Sequence, residues 1–515
     1  MAHNVCAHAI GVIGTAWLQR WMDLILFHSV YAADEAWLEA TEQSRKCLAD
    51  VVKKQMRRNK AAWVNSGLPF ATTQSLFTFD MLHWLQACEG ISIGYAGQGS
   101  DGKPLSSLLA LSLPPAEKYL TETGLEGNAL LTALGIPPKG RLSFLLQQAG
   151  RISCDAWTRD YLFSSLKVFS NVWSREADHS LSHNRLSYSK PVVLSEMVKD
   201  FDHEALMKSP VPKPLDLSDT QRDETCRVIR MSLVLLQRET DPATWMDLNS
   251  LRVYRLERGI EIAFYGMYAG RQLPFESYIG YTLFRNGLPV AYGGAWIFGH
   301  KALFGINIFP SYRGGESGYI LCQLLRTYAG VFDVRSFEVE PYQYGKGNPD
   351  GIKSGAFWYY YRYGFRPADA SLRKLADAEH KKIVATKGYR TGPEVLRRFT
   401  ESNLVLQADD TSWPVVPELT SAITDMIAAR FGGDRSKCER AISISFGQQF
   451  SPSERRRLAK GPGFLEAAML YETTHPPKRV VKYLMSMAEF KDQDPYAYQR
   501  WLTKFLEWWR KDRAR

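Results

Sequence analysis

Hydrophobic and polar positions change their spacing several times along the chain. Up to about residue 205, apolar residues mostly recur at helical spacing, as in residues 16–52, with charged residues between them. Residues 91–113 are an exception, because two apolar runs flank Ser100-Asp101-Gly102 and predict a β-hairpin or a tight loop. The pattern therefore predicts a mostly helical N-terminal region, residues 1–205.

Prolines mark the next boundary. Pro210, Pro212 and Pro214 fall within residues 206–216, where such a density breaks helices and predicts an extended linker. A helical pattern follows at residues 220–239. We place the second region at residues 206–370.

The centre of the chain has strand-like patterns. The runs 278–284 and 290–298 flank Asn286-Gly287, a strong hairpin signal. After them come a third strand at residues 304–309, a glycine-rich turn at 311–318 and a helix at 319–332. A short strand at residues 336–341 and an aromatic helix at 355–363 follow. This order predicts an α+β fold with a mixed, mostly antiparallel sheet and one β-α-β step.

The third region, residues 371–515, is again helical in pattern. Short helices are predicted at residues 375–385 and 391–399, and a linker at residues 413–417. At residues 496–515 an aromatic stripe with basic neighbours suits either a membrane or partner surface, or docking on the protein's own core. We favour docking.

Composition limits the class of protein. A chain of 515 residues suggests two to four domains, and 45% hydrophobic with 23% charged residues is typical of globular proteins. The net charge of +10 suits an anionic partner such as a pyrophosphate of CoA, a nucleic acid or a membrane surface, but it does not choose between them. For the chain as a whole we favour a mildly basic solvated surface.

Cysteine usage and hydropathy bear on the compartment. The 7 cysteines include no CxxC pair, so we expect neither a disulfide framework nor a zinc site. We expect the compartment to be a reducing cytoplasm. Arg20 and Asp23 interrupt the apolar run at residues 10–30, which predicts an amphipathic core helix and no transmembrane segment.

The glycine-rich turn at residues 309–318 is the main candidate for chemistry. It joins an apolar strand to an amphipathic helix, and its glycines allow backbone N–H groups to converge at the helix N-terminus. Arg313 adds a guanidinium, so the segment suits a phosphate or pyrophosphate. A simple turn into a helix is the competing interpretation.

This turn resembles the CoA-binding motif of the GNAT superfamily, which has the pattern Arg/Gln-x-x-Gly-x-Gly/Ala. Arg313 and Gly318 match its ends, whereas Glu316 stands where the family has glycine. The resemblance implies that CoA is held by the following residues: Ile308, Arg313, Gly314, Gly315, Ser317 and Gly318.

A second resemblance lies downstream. GNAT proteins often carry a helix of the form Ala-x-x-x-Tyr-x-x-x-Gly-Phe, and this chain has Ala356, Tyr360 and Gly364-Phe365. The resemblance implies that Tyr360 is the general acid that protonates the departing CoA thiolate. Because Tyr360 belongs to an aromatic run, packing is its alternative role.

The general base is less defined. Glu338 and Glu340 alternate along a predicted strand and therefore share one face. The resemblance places this strand beside the acceptor groove, so we rank Glu340 first and Glu276 second as base. A solvated strand carboxylate is the competing interpretation.

These resemblances together imply an acyl-CoA-dependent N-acyltransferase. We expect acetyl-CoA or another acyl-CoA as co-substrate, no metal, and an amine-bearing small molecule or peptide as acceptor. One alternative is an aminoacyl-tRNA-dependent transferase of the same fold, for which the basic charge would suit RNA. The other is a non-catalytic binding protein.

Two further signals are discounted. Gly97, Gly99, Gly102 and Lys103 imitate nucleotide-binding loops, but Pro104 stands where a Walker A loop has Ser or Thr, so we favour a hairpin turn. His179 and His183 are spaced to share a helix face, but Ser180 replaces the glutamate of a zinc motif.

Overall fold

The structure is a computed structural model, and it describes residues 14–55, 63–407, 415–447, 451–453, 456 and 478–513. Its strands are β1 Thr73–Leu76, β2 Ile91–Gln98, β3 Val168–Ser174, β4 Arg252–Arg255, β5 Ile260–Tyr265, β6 Ser277–Arg285, β7 Leu288–Phe298, β8 Lys301–Ile308, β9 Ser336–Val339, β10 Arg366–Pro367 and β11 Leu404–Gln407.

The α-helices follow in chain order. They are α1 Thr15–Val30, α2 Glu35–Gln55, α3 Phe79–Ala87, α4 Leu105–Ser112, α5 Pro115–Lys118, α6 Gly127–Ala133, α7 Arg141–Arg151, α8 Ala156–Ser165, α9 His203–Lys208, α10 Asp219–Leu235, α11 Asp241–Thr244, α12 Ser317–Phe332, α13 Pro349–Ser354, α14 Ala356–Arg362, α15 Ala370–Ala385, α16 Pro393–Phe399, α17 Val416–Phe431, α18 Arg435–Gly447, α19 Lys478–Phe490 and α20 Pro495–Arg513.

The central sheet has the strand order β10-β11-β9-β8-β7-β6-β5-β4. Its neighbouring strands are antiparallel except for the parallel pair β8 and β9. The predicted hairpin joins β6 to β7, where Asn286 and Gly287 take φ angles of 51° and 75°. Positive φ at both central residues is what a two-residue turn between twisted strands requires. The mixed, mostly antiparallel α+β fold is therefore confirmed.

The parallel pair β8 and β9 separates along its length. The two strands pair only where residues 301–303 face residues 336–338. Beyond Leu303, β8 continues beside β7 as far as Ile308, while β9 ends at Val339. The strands therefore enclose a gap at their carboxyl ends, which we call the wedge.

Helices cover both faces of this sheet. The Tyr328 hydroxyl of α12 donates to the Ile279 carbonyl at 2.9 Å, and the Tyr328 ring meets Tyr281 edge-on. On the opposite face, a Cβ at Gly280 would press against Pro242 of α11. Neighbouring residues of a strand point to opposite faces, so α12 lies on one face and the α10–α11 segment on the other.

The N-terminal region contributes to two hydrophobic cores. Buried residues of α1 and α2, such as Leu18 and Leu48, pack into the core of the central sheet. Residues between Phe77 and Val172 form a second core, and Met231 of α10 also packs into it. This second core contains the small sheet β1-β3-β2.

The C-terminal helices form a third core in the described part of the chain. Helices α17, α19 and α20 pack together and against Phe275 and Phe298 at one end of the central sheet. In α20, Phe505 is 1% exposed and Trp509 is 3% exposed. The expected docking of this terminal helix is thus confirmed.

Of the two predictions for residues 91–113, the structure forms the tight loop, with Gly102 N–H donating to the Gly99 carbonyl at 3.0 Å, and not the hairpin. Strand β2 pairs with β3, and the second apolar run forms α4 instead. Its leucines Leu105, Leu108 and Leu109 are buried at helical spacing, a pattern that a short apolar run does not distinguish from a strand. Loop N–H groups at Gly99 and Lys103 donate to protein carbonyls, so this loop offers them to no phosphate.

Other predictions are corrected or bounded by the structure. His179 and His183 lie in an irregular segment and not on a helix, and no group of metal-ligating side chains occurs in the described residues. Cys47 forms a disulfide, whereas the five other described cysteines are not disulfide-bonded. The linker at residues 413–417 lies partly outside the described residues. No helix in the described ranges is long and apolar enough to span a bilayer.

Candidate functional site

Backbone donors of β8 face the wedge. The Phe309 N–H donates to the Val290 carbonyl of β7 at 3.0 Å. N–H groups alternate between the two sides of a strand, so those of Ile306 and Ile308 point away from β7 and toward the wedge. Because β9 pairs with β8 only up to Leu303, these donors have no strand partner within the described chain.

Tyr360 of α14 supplies a side-chain donor near the wedge. It is 3% exposed, and its ring packs edge-on against Phe365 and Tyr344. Its neighbourhood includes Tyr281, whose hydroxyl donates to the Gly305 carbonyl of β8 at 3.2 Å. Tyr360 and Tyr359 both lie close enough to Tyr281 to raise its pKa, so α14 packs near Tyr281 of the central sheet.

The Tyr360 hydroxyl differs from those of nearby tyrosines. Tyr344, Tyr359 and Tyr361 donate to Ser402, Ser317 and Asp377, respectively. The Tyr360 hydroxyl has no hydrogen-bond partner in the part of the chain that is described, and burial raises its pKa. The ring is buried, whereas the hydroxyl oxygen keeps some contact with solvent, so a ligand could accept its hydrogen bond.

The glycine-rich turn before α12 presents an open side to solvent. Arg313 and Gly314 are exposed, and Ser317 and Gly318 are partly exposed. Gly314 has a φ of 87°, and a Cβ there would meet no atom within 4 Å. Within the described residues, the N–H groups of Gly314, Ser317 and Gly318 have no acceptor. The turn therefore has free donors at the positive end of a 16-residue helix.

Two other glycines of this turn are explained by packing inside the protein. A Cβ at Gly315 would collide with the Tyr31 ring at the end of α1. A Cβ at Gly318 would collide with the Tyr363 hydroxyl of α14. These close approaches require glycine whether or not a ligand binds.

Glu316, the departure from the motif, is buried in an ion-pair cluster. Its carboxylate contacts the Arg258 guanidinium, accepts from Arg285 at 2.7 Å, and accepts the Val198 N–H at 2.8 Å. Burial alone would raise the pKa of Glu316, but the two arginines hold it below its usual range. The negative charge is thus compensated within the protein.

The candidate bases lie in different places. Glu340 is exposed and directly follows β9 at the wedge, and its carbonyl accepts the Gln343 N–H at 3.0 Å. Glu338 lies two residues earlier, where its carboxylate accepts from the Asn403 amide. Glu340 is therefore the carboxylate that the fold leaves open beside the wedge.

Glu276 lies at the other end of the sheet. It precedes β6, whose first residue Ser277 pairs with Ile297 beside the start of β8. Its carbonyl accepts from Lys491 at 3.1 Å, and burial raises the pKa of the Glu276 carboxyl, an effect that Lys491 opposes. The structure therefore does not bring Glu276 together with Tyr360 or with Glu340.

A cavity of about 310 Å³ adjoins the end of β8. Ile308 and Arg313 line it, as the motif suggested, but Asn184, Arg238 and Tyr292 also line it. Sequence reasoning missed these three residues, because they come from separate segments that only the fold brings together. No local pattern in the sequence marks them.

Together, the wedge and turn offer backbone donors for a polarised carbonyl, donors for an anion, and a phenol for a leaving group. Comparison of the chain with protein-family models, with curated protein sequences and with solved structures gives no match.

Proposed function

We propose that this chain is an acyl-CoA-dependent N-acyltransferase of the GNAT type, with acetyl-CoA as the first donor to test. The observation that carries the proposal is Tyr360, whose ring is buried and whose hydroxyl has no hydrogen-bond partner among the described residues. We assign it as the proton donor to the sulfur of a thioester that binds in the wedge. The order of strands and helices supports the same proposal.

The donor would lie along β8 with its pyrophosphate at the N-terminus of α12. The free N–H groups of Ser317 and Gly318, with the helix dipole, favour an anion there. Arg313 is exposed in the same turn and adds a guanidinium. Glu316 does not oppose this binding, because Arg258 and Arg285 compensate its charge.

The reaction would proceed by direct attack. The amine nitrogen bonds to the thioester carbonyl carbon, the carbon–sulfur bond breaks, and sulfur leaves with the electron pair. The Ile308 N–H stabilises the carbonyl oxygen, Tyr360 gives its proton to the thiolate, and Glu340, directly or through water, removes the proton of the amine. Burial raises the pKa of the phenol and would also raise that of a thiol bound beside it.

The test is isothermal titration of the protein with acetyl-CoA. Ser317→Glu is the sharpest variant, because a carboxylate at a helix N-terminus favours folding by about 0.3–1 kcal/mol while it repels a pyrophosphate. Arg313→Ala removes the guanidinium, and Arg151→Ala, at an exposed position of α7, is the matched control.

We expect saturable binding that both turn variants weaken at least about tenfold, or about 1.4 kcal/mol. The control should bind like the unmodified protein. Absence of binding to acetyl-CoA and to longer acyl-CoAs would refute the proposal.

A non-catalytic binding protein of this fold is the second candidate. It is favoured by the packing of Tyr31 and Tyr363 on Gly315 and Gly318, because these contacts give the turn a structural role. Aminoacyl-tRNA-dependent transfer remains a further alternative, with only the net charge of +10 in its support. If the protein binds no acyl-CoA, these two alternatives are favoured over the acyltransferase.

A further inference from the structure

We propose that the cavity of about 310 Å³ at the end of β8 is the acceptor site, and that it binds a free amino acid through its carboxylate and a hydrogen-bond donor. The role of this cavity as an acceptor site rests on the proposed acyltransferase function. The binding itself can be tested without any acyl donor.

The position of the cavity fits this role. Tyr292 and Asn307 form a cross-strand pair of β7 and β8 that lines it, and Ile308 belongs to both the cavity and the wedge. A ligand in the cavity would therefore lie beside the same strand as the thioester. The volume of about 310 Å³ is at the small end of ligand sites, which run from about 300 to 1,000 Å³.

Asn184 provides an unfilled acceptor in the lining. It is 2% exposed, and its Nδ2 donates to the Val228 carbonyl and to Ser232 Oγ, each at 2.9 Å. Only the NH₂ group can donate to a carbonyl, so these bonds fix which atom is Oδ1. Among the described residues, the buried Oδ1 has no hydrogen-bond partner, which favours a ligand that brings an N–H or O–H.

Charge in the lining favours an anionic group on the same ligand. Arg238 and Arg313 both line the cavity. Asp23 is the single carboxylate among its described lining residues, and it already accepts from Ser311 at 2.7 Å. Arginine binds carboxylates through two parallel hydrogen bonds. The lining therefore fits a molecule that has both a carboxylate and a hydrogen-bond donor.

Arg238 is the better candidate for the carboxylate, because Arg313 also belongs to the turn before α12. The preceding residue, Gln237, has a φ of 55°, an uncommon conformation for a residue other than glycine. Gln237 lies two residues after the end of α10, and the turn there brings Arg238 beside the Tyr292 hydroxyl. Burial raises the pKa of Tyr292, and Arg238 opposes the increase.

The experiment is calorimetric titration with each of the twenty L-amino acids and with the amide of each one that binds. Each titration is run without CoA and again with saturating CoA. The variants are Arg238→Gln, which is exposed and should fold, and Asn184→Ala; Arg151→Gln is the control. Circular dichroism checks that each variant is folded.

We expect at least one amino acid to bind saturably, with affinity at least tenfold lower for its amide and for Arg238→Gln. Binding of no amino acid in either series, or equal binding of acid and amide, would overturn this inference. Neither result would affect a positive titration with acetyl-CoA. Amino-acid binding in a protein that binds no acyl-CoA would support the site and refute the acyltransferase.

Discussion

Glu316 offers the clearest test of how the turn before α12 is built. Its carboxylate is 1% exposed and contacts Arg258, Arg285 and the Val198 N–H. Replacing it with alanine would leave these donors without an acceptor. Arg258 is 22% exposed and can turn toward water, whereas Arg285 is 1% exposed and cannot.

Removing one partner of a buried ion pair costs about 3–5 kcal/mol, because the remaining charge stays buried. Since Arg258 can be rehydrated, we expect Glu316→Ala to cost about 3 kcal/mol. The control is Glu204→Ala, because Glu204 and Lys208 form an exposed pair at 3.7 Å whose loss costs about 0.5 kcal/mol or less.

Urea unfolding followed by tryptophan fluorescence measures both free energies of unfolding. A loss below about 1 kcal/mol in Glu316→Ala, or one equal to that of Glu204→Ala, would refute the cluster as the support of the turn. The pH dependence gives a second check. The folded pKa of Glu316 is lowered, so its contribution is present above the unfolded carboxyl pKa of about 4.3 and is lost as the pH falls through the folded value.

Three further variants are predicted to behave as follows. Tyr360→Phe should bind acetyl-CoA normally but release the CoA thiol about 10²–10⁴-fold more slowly when an active amine is present. A thiol reagent measures this release. An unchanged rate would exclude Tyr360 as the general acid. Gly318→Ala should lower the free energy of unfolding. The loss should be smaller when Gly318→Ala is made in a Tyr363→Phe protein, because that variant lacks the colliding hydroxyl. If the effects of the two substitutions simply add, the contact is contradicted. Burial lowers the pKa of Lys491 to about 7, so its contribution to stability should grow from pH 7 to about 10.4, and Lys491→Met should flatten that rise; parallel pH profiles would count against the burial.

Much of the central fold could be predicted from sequence, because its signals are local. The Asn286-Gly287 turn, the strand runs around it and the amphipathic helix α12 all appear where their patterns indicate. The same local rules fail for residues 105–112, because a short run of leucines suits a buried helix as well as a strand.

The candidate site could be predicted only in part. Spacing singled out Tyr360, but the free state of its hydroxyl depends on which acceptors the fold places nearby. The compensation of Glu316 by Arg285, and the unfilled oxygen of Asn184, come from residues far apart in the chain. Sequence spacing carries no record of such contacts.

Hydrogen exchange with and without saturating acetyl-CoA tests the central claim most directly, because it reports both binding and its place. We expect slower exchange in peptides that cover residues 304–319, where the N–H groups of Ile308, Ser317 and Gly318 would gain acceptors. Peptides of α17 and α20 should be unchanged. Unchanged exchange at residues 304–319, or protection confined to another part of the chain, would contradict an acyl-CoA site in the wedge.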